Sequence, residues 1–238
     1  MKIAVYGDSF VEMRGKAYTS RLTWISQLVE RLGAATSVEW YGQDGSSTYY
    51  SYEKIMNTAD QYDQIIWAVG SPTRYPVRVP KANKRLGWVG GATQQQINSA
   101  DPDIQDDIKS WYKMNDPGFM ETAQHLMVQH VLELYPTAVL IPCFSNSFNS
   151  QYRAQSGWGN FDLASVYMLF CNHYLKKSNL PLSEDSENML QHMPIDWHKT
   201  VSDIVFEFIA RGQTPSVSFD QFPPLQYPLD TYIRIDQE

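Results

Sequence analysis

Four short apolar runs each lead into a loop, and this alternation constrains the chain more than any other feature. Residues 2–6 read KIAVY and run into Gly7-Asp8-Ser9, and residues 37–41 read SVEWY, closed by GQDGSS. Residues 64–69 read QIIWAV, closed by GSPTRYP, and residues 137–144 read TAVLIPCF. Apolar runs of this length bounded by turn residues suit buried strands. Helical spacing follows or separates them. Leu22, Ile25, Leu28, Val29 and Leu32 recur three and four apart over residues 20–32, with Gly33 as the stop. A helical stretch runs from about 120 to 134, and the periodicity returns at about 161–176 and at 197–211, where Val201, Ile204, Val205 and Phe208 share a face. Strands alternating with helices predict an α/β chain built from βαβ units around a mostly parallel sheet. Ligand sites in such sheets lie beyond the carboxyl ends of the strands, and three of the four runs end there in loops bearing glycine and serine.

Two segments interrupt the alternation. Residues 78–118 carry Gly87, Gly90, Gly91, the run Gln94-Gln95-Gln96 and several aspartates. So long a connection in a compact domain is either functional or has structure of its own. It reads as an insertion over the strand ends, a lid or an oligomer contact. Residues 212–238 carry Pro215, Pro223, Pro224 and Pro228 among aromatics, which excludes a regular helix there. That tail is expected to wrap the body or meet a partner. The organisation is therefore one domain over 1–211, with its insertion, and a Pro/aromatic-rich tail.

Composition narrows the function. With 238 residues, 43% of them hydrophobic, the chain can bury a core without disulfides or a structural metal. Its formal net charge of −7 argues against nucleic acid, because phosphate contacts need clustered Lys and Arg. Lys81, Lys84 and Arg85 are the nearest thing to a basic patch, and they read as a solvated loop. Cys143 and Cys171 fit no metal-ligand spacing and read as free thiols of a reducing compartment. His125 and His130 are five apart rather than four, which does not place both on one helix face, and no metal site is expected. The N-terminus lacks the long apolar stretch of a signal peptide, and no segment approaches the roughly 20 apolar residues of a membrane span. A protein soluble and cytoplasmic as synthesised is expected, with association with a larger particle such as a virion left open.

Ser9 is the first candidate for chemistry. A serine hydroxyl becomes a nucleophile when a base takes its proton, and a strand end offers backbone N–H groups that can stabilise an oxyanion. Asp8 before it reads as a turn-capping residue, although a carboxylate for acid–base work is the alternative. The matching base lies far along the chain. The segment Gln191-His192-Met193-Pro194-Ile195-Asp196-Trp197-His198 precedes an amphipathic helix, and its two histidines are six apart. A histidine in a loop before a final helix is well placed to reach a strand-end serine. Trp67, Trp88, Trp111, Trp158 and Tyr75 offer an aromatic sugar-binding surface as an alternative to core packing, with core packing the better expectation for each singly.

On these residues the chain resembles the SGNH/GDSL hydrolases. Gly7-Asp8-Ser9 is similar to the family's nucleophile block. Gly42-Gln43-Asp44-Gly45-Ser46-Ser47 is similar to its second block, in which Gly45 matches the oxyanion-hole glycine. His192 and His198 match the spacing of the last block, with the catalytic role on His192 and a helix-start role on His198. The resemblance covers about residues 1–211 and implies a three-layer α/β/α flavodoxin-like fold. Two positions depart from it. Pro72 stands where the family has an oxyanion-donating Asn, with Thr73 and Arg74 as substitute donors. Met189 stands where the family has the acid that orients the histidine, and none of Asp185, Glu187 and Asp196 has the right offset. In its Gly70-Ser71-Pro72-Thr73-Arg74 turn the chain is more similar to phage-encoded members than to secreted lipases.

The resemblance implies a serine ester hydrolase working by a Ser9–His192 dyad or a degenerate triad, with no cofactor. The Ser9 and Gly45 N–H groups would hold the oxyanion. The substrate would be a small acyl ester or an acetylated glycan, the reaction then being carbohydrate O-deacetylation. The alternative is a protein that kept the fold and lost strong activity, serving as a structural or interaction component such as part of a phage virion.

Overall fold

In a computed structural model of the chain, the structure describes residues 1–11, 23–43, 46–72, 77–78, 88–89, 105–106, 110, 116–143, 147 and 195–211. Strand β1 is Lys2–Gly7, helix α1 is Trp24–Leu32, strand β2 is Ser37–Gly42 and helix α2 is Thr48–Thr58. A short 3-10 turn, Ala59–Gln61, leads to strand β3, Gln64–Val69. Two-residue strands β4 (Val77–Arg78) and β5 (Trp88–Val89) follow, then helix α3 (Pro117–Leu134), strand β6 (Val139–Pro142) and helix α4 (Ile195–Arg211). No described helix is long and apolar enough to cross a membrane.

The main sheet is parallel, in the order β2-β1-β3-β6. Alternating side chains along each strand divide the core in two. Ile3 and Val5 of β1, Ile66 and Ala68 of β3, and Val139 and Ile141 of β6 face one layer, formed by α1 and α4. Ala4 and Tyr6, Ile65, Trp67 and Val69, and Leu140 face the other, which receives Ile55 from α2 and Val128 and Val131 from α3. Strands buried on both faces read as near-continuous apolar runs, which is why KIAVY and QIIWAV show no polar alternation. The connection from β1 to β2 moves one way across the sheet with α1 on the first face. The connection from β2 to β3 moves the other way with α2 on the second face, so both crossovers share one hand, as parallel sheets require. The chain is thus a three-layer α/β/α protein with a doubly wound sheet of flavodoxin-like order.

Helix ends follow local chemistry. Thr23 caps α1 by accepting the Ser26 N–H, and Gly33 ends it with a φ of 88°, a left-handed conformation suited to glycine, its N–H returning to the Val29 carbonyl. Asp116 caps α3, with Pro117 in the first helical position. Helix α2 is absent from the sequence expectation. Its segment TYYSYEKIMNT carries aromatic and β-branched residues, and its signature is only the Ser47 cap, which accepts the Tyr50 N–H at 3.4 Å. The expected strand over 137–144 is shorter in the structure. Cys143 lies just past β6, where its N–H still donates to the Val69 carbonyl, and it is buried and in no disulfide. At the start of the segment expected as an insertion, β4 and β5 pair antiparallel, Val77 with Val89 and Arg78 with Trp88. The helical periodicity over 161–176, Cys171 and the tail over 212–238 fall outside the described residues.

Polar groups stabilise the rims. Tyr6 and Tyr41 stack with centroids 5.0 Å apart, and Tyr6 gives or takes a hydrogen bond with Thr58 at 2.8 Å. Burial pushes the Tyr6 phenol up to about 12, the Thr58 hydrogen bond opposing it. Between α1 and α4, Arg31 pairs with Asp203, which Lys199 also reaches at 2.9 Å.

The α1–α4 interface gives a contrast between burial and charge. Leu28 is fully buried, and Leu28→Ala is expected to cost about 2–5 kcal/mol. Asp203→Asn breaks partly exposed ion pairs and is expected to cost less than about 1 kcal/mol. Urea unfolding monitored by circular dichroism checks both.

Candidate active site

Strand β1 delivers Ser9 by way of a turn that its own residues build. Asp8 is buried, and its Oδ1 accepts the Phe10 N–H at 3.1 Å, while its carbonyl accepts the Val11 N–H at 2.9 Å. This is the side-chain-to-backbone turn for which aspartate is suited. The carboxylate thereby braces the residues on either side of Ser9, which is itself half-buried. Gly7 is required by close approach. A Cβ there would stand 2.6 Å from Val11 Cγ2 and 2.9 Å from Ala68 Cβ. The turn therefore folds tightly over the end of β3.

The loop after β2 closes onto the same strand end. The Gln43 N–H and the Ser46 hydroxyl both donate to the Gly7 carbonyl, at 3.3 and 3.4 Å. Ser46 and Ser47 are buried, and α2 starts directly behind them. The first turn of a helix carries unsatisfied N–H groups and a partial positive charge, which favour negative charge nearby. Gly70, just past β3, approaches this helix start closely. A Cβ on Gly70 would lie 3.3 Å from Thr48 Oγ1 and 3.8 Å from Asp8 Oδ2. The ends of β1, β2 and β3 thus meet around Gly7, Asp8, Ser46, Thr48 and Gly70.

The ends of β3 and β6 are joined by a side chain from a helix. Gln124 of α3 is buried and donates through Nε2 to the Gly70 carbonyl at 3.2 Å and to the Ser147 carbonyl at 2.7 Å. The Ser147 hydroxyl in turn donates to the Val69 carbonyl at 2.7 Å. Ser71 and Pro72 follow, both buried. Pro72 brings neither a side-chain amide nor an N–H to this loop.

On the first face of the sheet, Trp24 and His198 are both fully buried. The Trp24 indole Nε1–H donates to the Phe10 carbonyl at 3.0 Å, and the Trp24 backbone N–H donates to His198 Nδ1 at 3.0 Å. Nδ1 is therefore an acceptor, which places the ring proton on Nε2. His198 sits in the first turn of α4.

Among the residues expected from sequence to form the site, the structure describes Ser9 and His198. Gly45, Thr73, Arg74, His192 and Met189 lie outside the described residues, as do Trp158 and Tyr75. Trp67 is fully buried in the core, and His125 and His130 lie along α3, His130 Nδ1 sharing a 2.8 Å hydrogen bond with the Tyr52 hydroxyl. Among the described residues no group of three His, Cys, Asp or Glu side chains is placed to hold a metal ion. Gln124 and Trp24 are the contributors missed from sequence. Gln124 had one signal: it shares a face with Val128 and Val131, at spacings of four and seven, so it is a polar residue on a buried stripe. Trp24 had none, because its partners are 14 and 174 residues away.

What the arrangement offers chemically follows from topology. The sheet order reverses between β1 and β3, the two strands whose connections leave for opposite faces. In doubly wound sheets the crevice outside the carboxyl ends at this reversal is where ligands bind. Ser9 follows β1 directly at that seam, and Gly70-Ser71-Pro72 follows β3 on its other side.

No protein-family model matches this chain, and no curated protein matches it. Among solved structures, the chain is similar to the crystal structure of a member of the lipolytic protein G-D-S-L family from Veillonella parvula DSM 2008. The likeness has a TM-score of 0.40 and 13% sequence identity, over 88% of this chain and 98% of that one.

The Gln124 clamp is open to direct measurement. Gln124→Leu keeps the approximate volume but leaves the buried Gly70 and Ser147 carbonyls without their donor, which is expected to cost about 1–3 kcal/mol. Chemical denaturation of the variant checks this, and an unchanged midpoint would show that the amide does not hold the two loops.

Proposed function

We propose that this chain is a serine ester hydrolase in which Ser9 is the nucleophile and His192 the general base. The observation that carries the reading is the position of Ser9 at the reversal of a doubly wound parallel sheet, on a turn braced by Asp8. Ser9 Oγ attacks the acyl carbonyl while His192 takes its proton. The tetrahedral oxyanion is held by the N–H groups of Ser9 and Gly45, with Thr73 or Arg74 in place of the missing Asn side chain. Collapse expels the alcohol, protonated by His192, and leaves an acyl-enzyme on Ser9. Water, activated by the same histidine, then releases the acid. The start of α2 beside Gly70 adds a partial positive charge to the rim of this site. The substrate class is a small acyl ester, an acetylated glycan included.

A second reading is favoured by one observation. Pro72 fills the buried position after Ser71 with no donor to offer, so the oxyanion hole lacks a member. Loss of one such donor costs roughly 100- to 1000-fold in rate. A chain that keeps this fold for assembly or interaction and hydrolyses esters poorly fits that feature.

Hydrolysis of para-nitrophenyl acetate by the purified protein separates the two. The enzyme reading expects turnover above the buffer rate that falls roughly 1000-fold or more in Ser9→Ala. Equal rates in the two proteins contradict the role given to Ser9, and no turnover in either favours the second reading.

A further inference from the structure

Ser9 stands between two residues, Asp8 and Phe10, that are each held by buried hydrogen bonds, and those bonds continue into the last helix. Both backbone polar groups of Phe10 are held. Its N–H goes to Asp8 Oδ1 at 3.1 Å, and its carbonyl accepts the Trp24 indole N–H at 3.0 Å. Trp24 opens α1, so its backbone N–H is one of the helix-start donors that α1 cannot satisfy internally. His198 Nδ1, from the first turn of α4, takes that donor at 3.0 Å. All four residues are at most 3% exposed: Asp8 2%, Phe10 3%, Trp24 0% and His198 0%. Buried bonds of this kind are not weakened by exchange with water, and breaking one leaves a buried group unpaired.

From this we infer that Trp24 and His198 are positioning residues, forming a relay that fixes the Ser9 turn relative to the start of α4. The relay runs Asp8–Phe10–Trp24–His198, and its first two members flank Ser9 in the chain. Its consequence is geometric. His198 belongs to the first turn of the helix that follows directly on the segment bearing His192, so one imidazole ties the start of α4 to the turn that bears the nucleophile. One imidazole thereby anchors the start of α4 to the Ser9 turn, and in sequence the segment bearing His192 leads directly into that anchored start. Trp24 serves both halves at once, its indole holding the turn and its backbone N–H holding the helix. The catalytic part of this inference rests on the proposed Ser9–His192 chemistry, whereas the clamping of the turn does not.

Two variants break different bonds of the relay. Trp24→Phe keeps an aromatic ring but removes the indole donor to the Phe10 carbonyl. His198→Ala removes the acceptor for the Trp24 N–H, and His198→Asn restores an acceptor close to the Nδ1 position. Hydrogen exchange of the folded proteins reads the turn directly. The amides of Phe10 and Val11 are expected to exchange about fivefold to tenfold faster in Trp24→Phe and His198→Ala, with Ile66 and Ala68 of β3 unchanged and with His198→Asn close to wild type. Unchanged exchange at Phe10 and Val11 in whichever of these variants folds would overturn the relay, as would acceleration shared equally by β3. Ester hydrolysis forms the second arm. A lowered kcat with KM nearly constant in Trp24→Phe, recovered for the His198 position by Asn, supports positioning for catalysis. A wild-type protein without turnover overturns the Ser9–His192 reading and the catalytic part with it, and the exchange measurement still decides the clamp.

Discussion

Strand β1 lies between β2 and β3, and four successive side chains from Ile3 to Tyr6 are entirely removed from water. Everything near the candidate site follows from that burial. A strand covered on both faces and bonded on both edges has no freedom of register, because a shift of one residue would exchange the two cores. Its end point is therefore fixed. At that point the chain must leave the sheet, and the neighbouring connections have already gone to opposite faces. The seam between β1 and β3 is the reversal point of the sheet, the place at which doubly wound folds bind ligands, and Ser9 follows β1 there.

Small residues and buried hydrogen bonds then compress the seam. Gly7 lets the turn sit on Ala68 and Val11, and Gly70 lets the end of β3 approach the start of α2. Asp8, Ser46, Gln124 and Ser147 are polar and buried, and each makes a hydrogen bond to a backbone group at or just past a strand end. Buried polar side chains cost free energy when unpaired. Their concentration at one edge of the sheet marks the place where loop geometry, rather than burial of apolar area, is being held. On the opposite side Trp24 joins the Asp8–Val11 turn to α4, its indole N–H bonding the Phe10 carbonyl and its backbone N–H bonding His198.

Much of this architecture was legible in the residues. KIAVY, SVEWY and QIIWAV stand as strands at or within a residue of where the sequence puts them, and Val201, Ile204 and Val205 share the buried face expected of α4. These signals are local and repetitive, so short windows reveal them. Helix α2 was not legible, because three tyrosines and a serine replace the usual leucine stripe and only Ser47 announces its start. The order β2-β1-β3-β6, the reach of Gln124 to two loops and that of Trp24 to His198 have no comparable local signal. Such contacts depend on partners tens to hundreds of residues apart, whose identities carry no periodic trace.

The site was legible in a different way. Gly7-Asp8-Ser9 names a turn and a hydroxyl, and only the sheet around it says that the turn opens at the reversal of a doubly wound fold. Serine chemistry at that position is the centre of the account. Its most direct test is to treat the folded protein with a serine-directed fluorophosphonate and map the adduct by peptide mass spectrometry. The account predicts a single adduct on the peptide containing Ser9, lost on prior unfolding. An unmodified Ser9, or an adduct on another serine at equal yield, would contradict it.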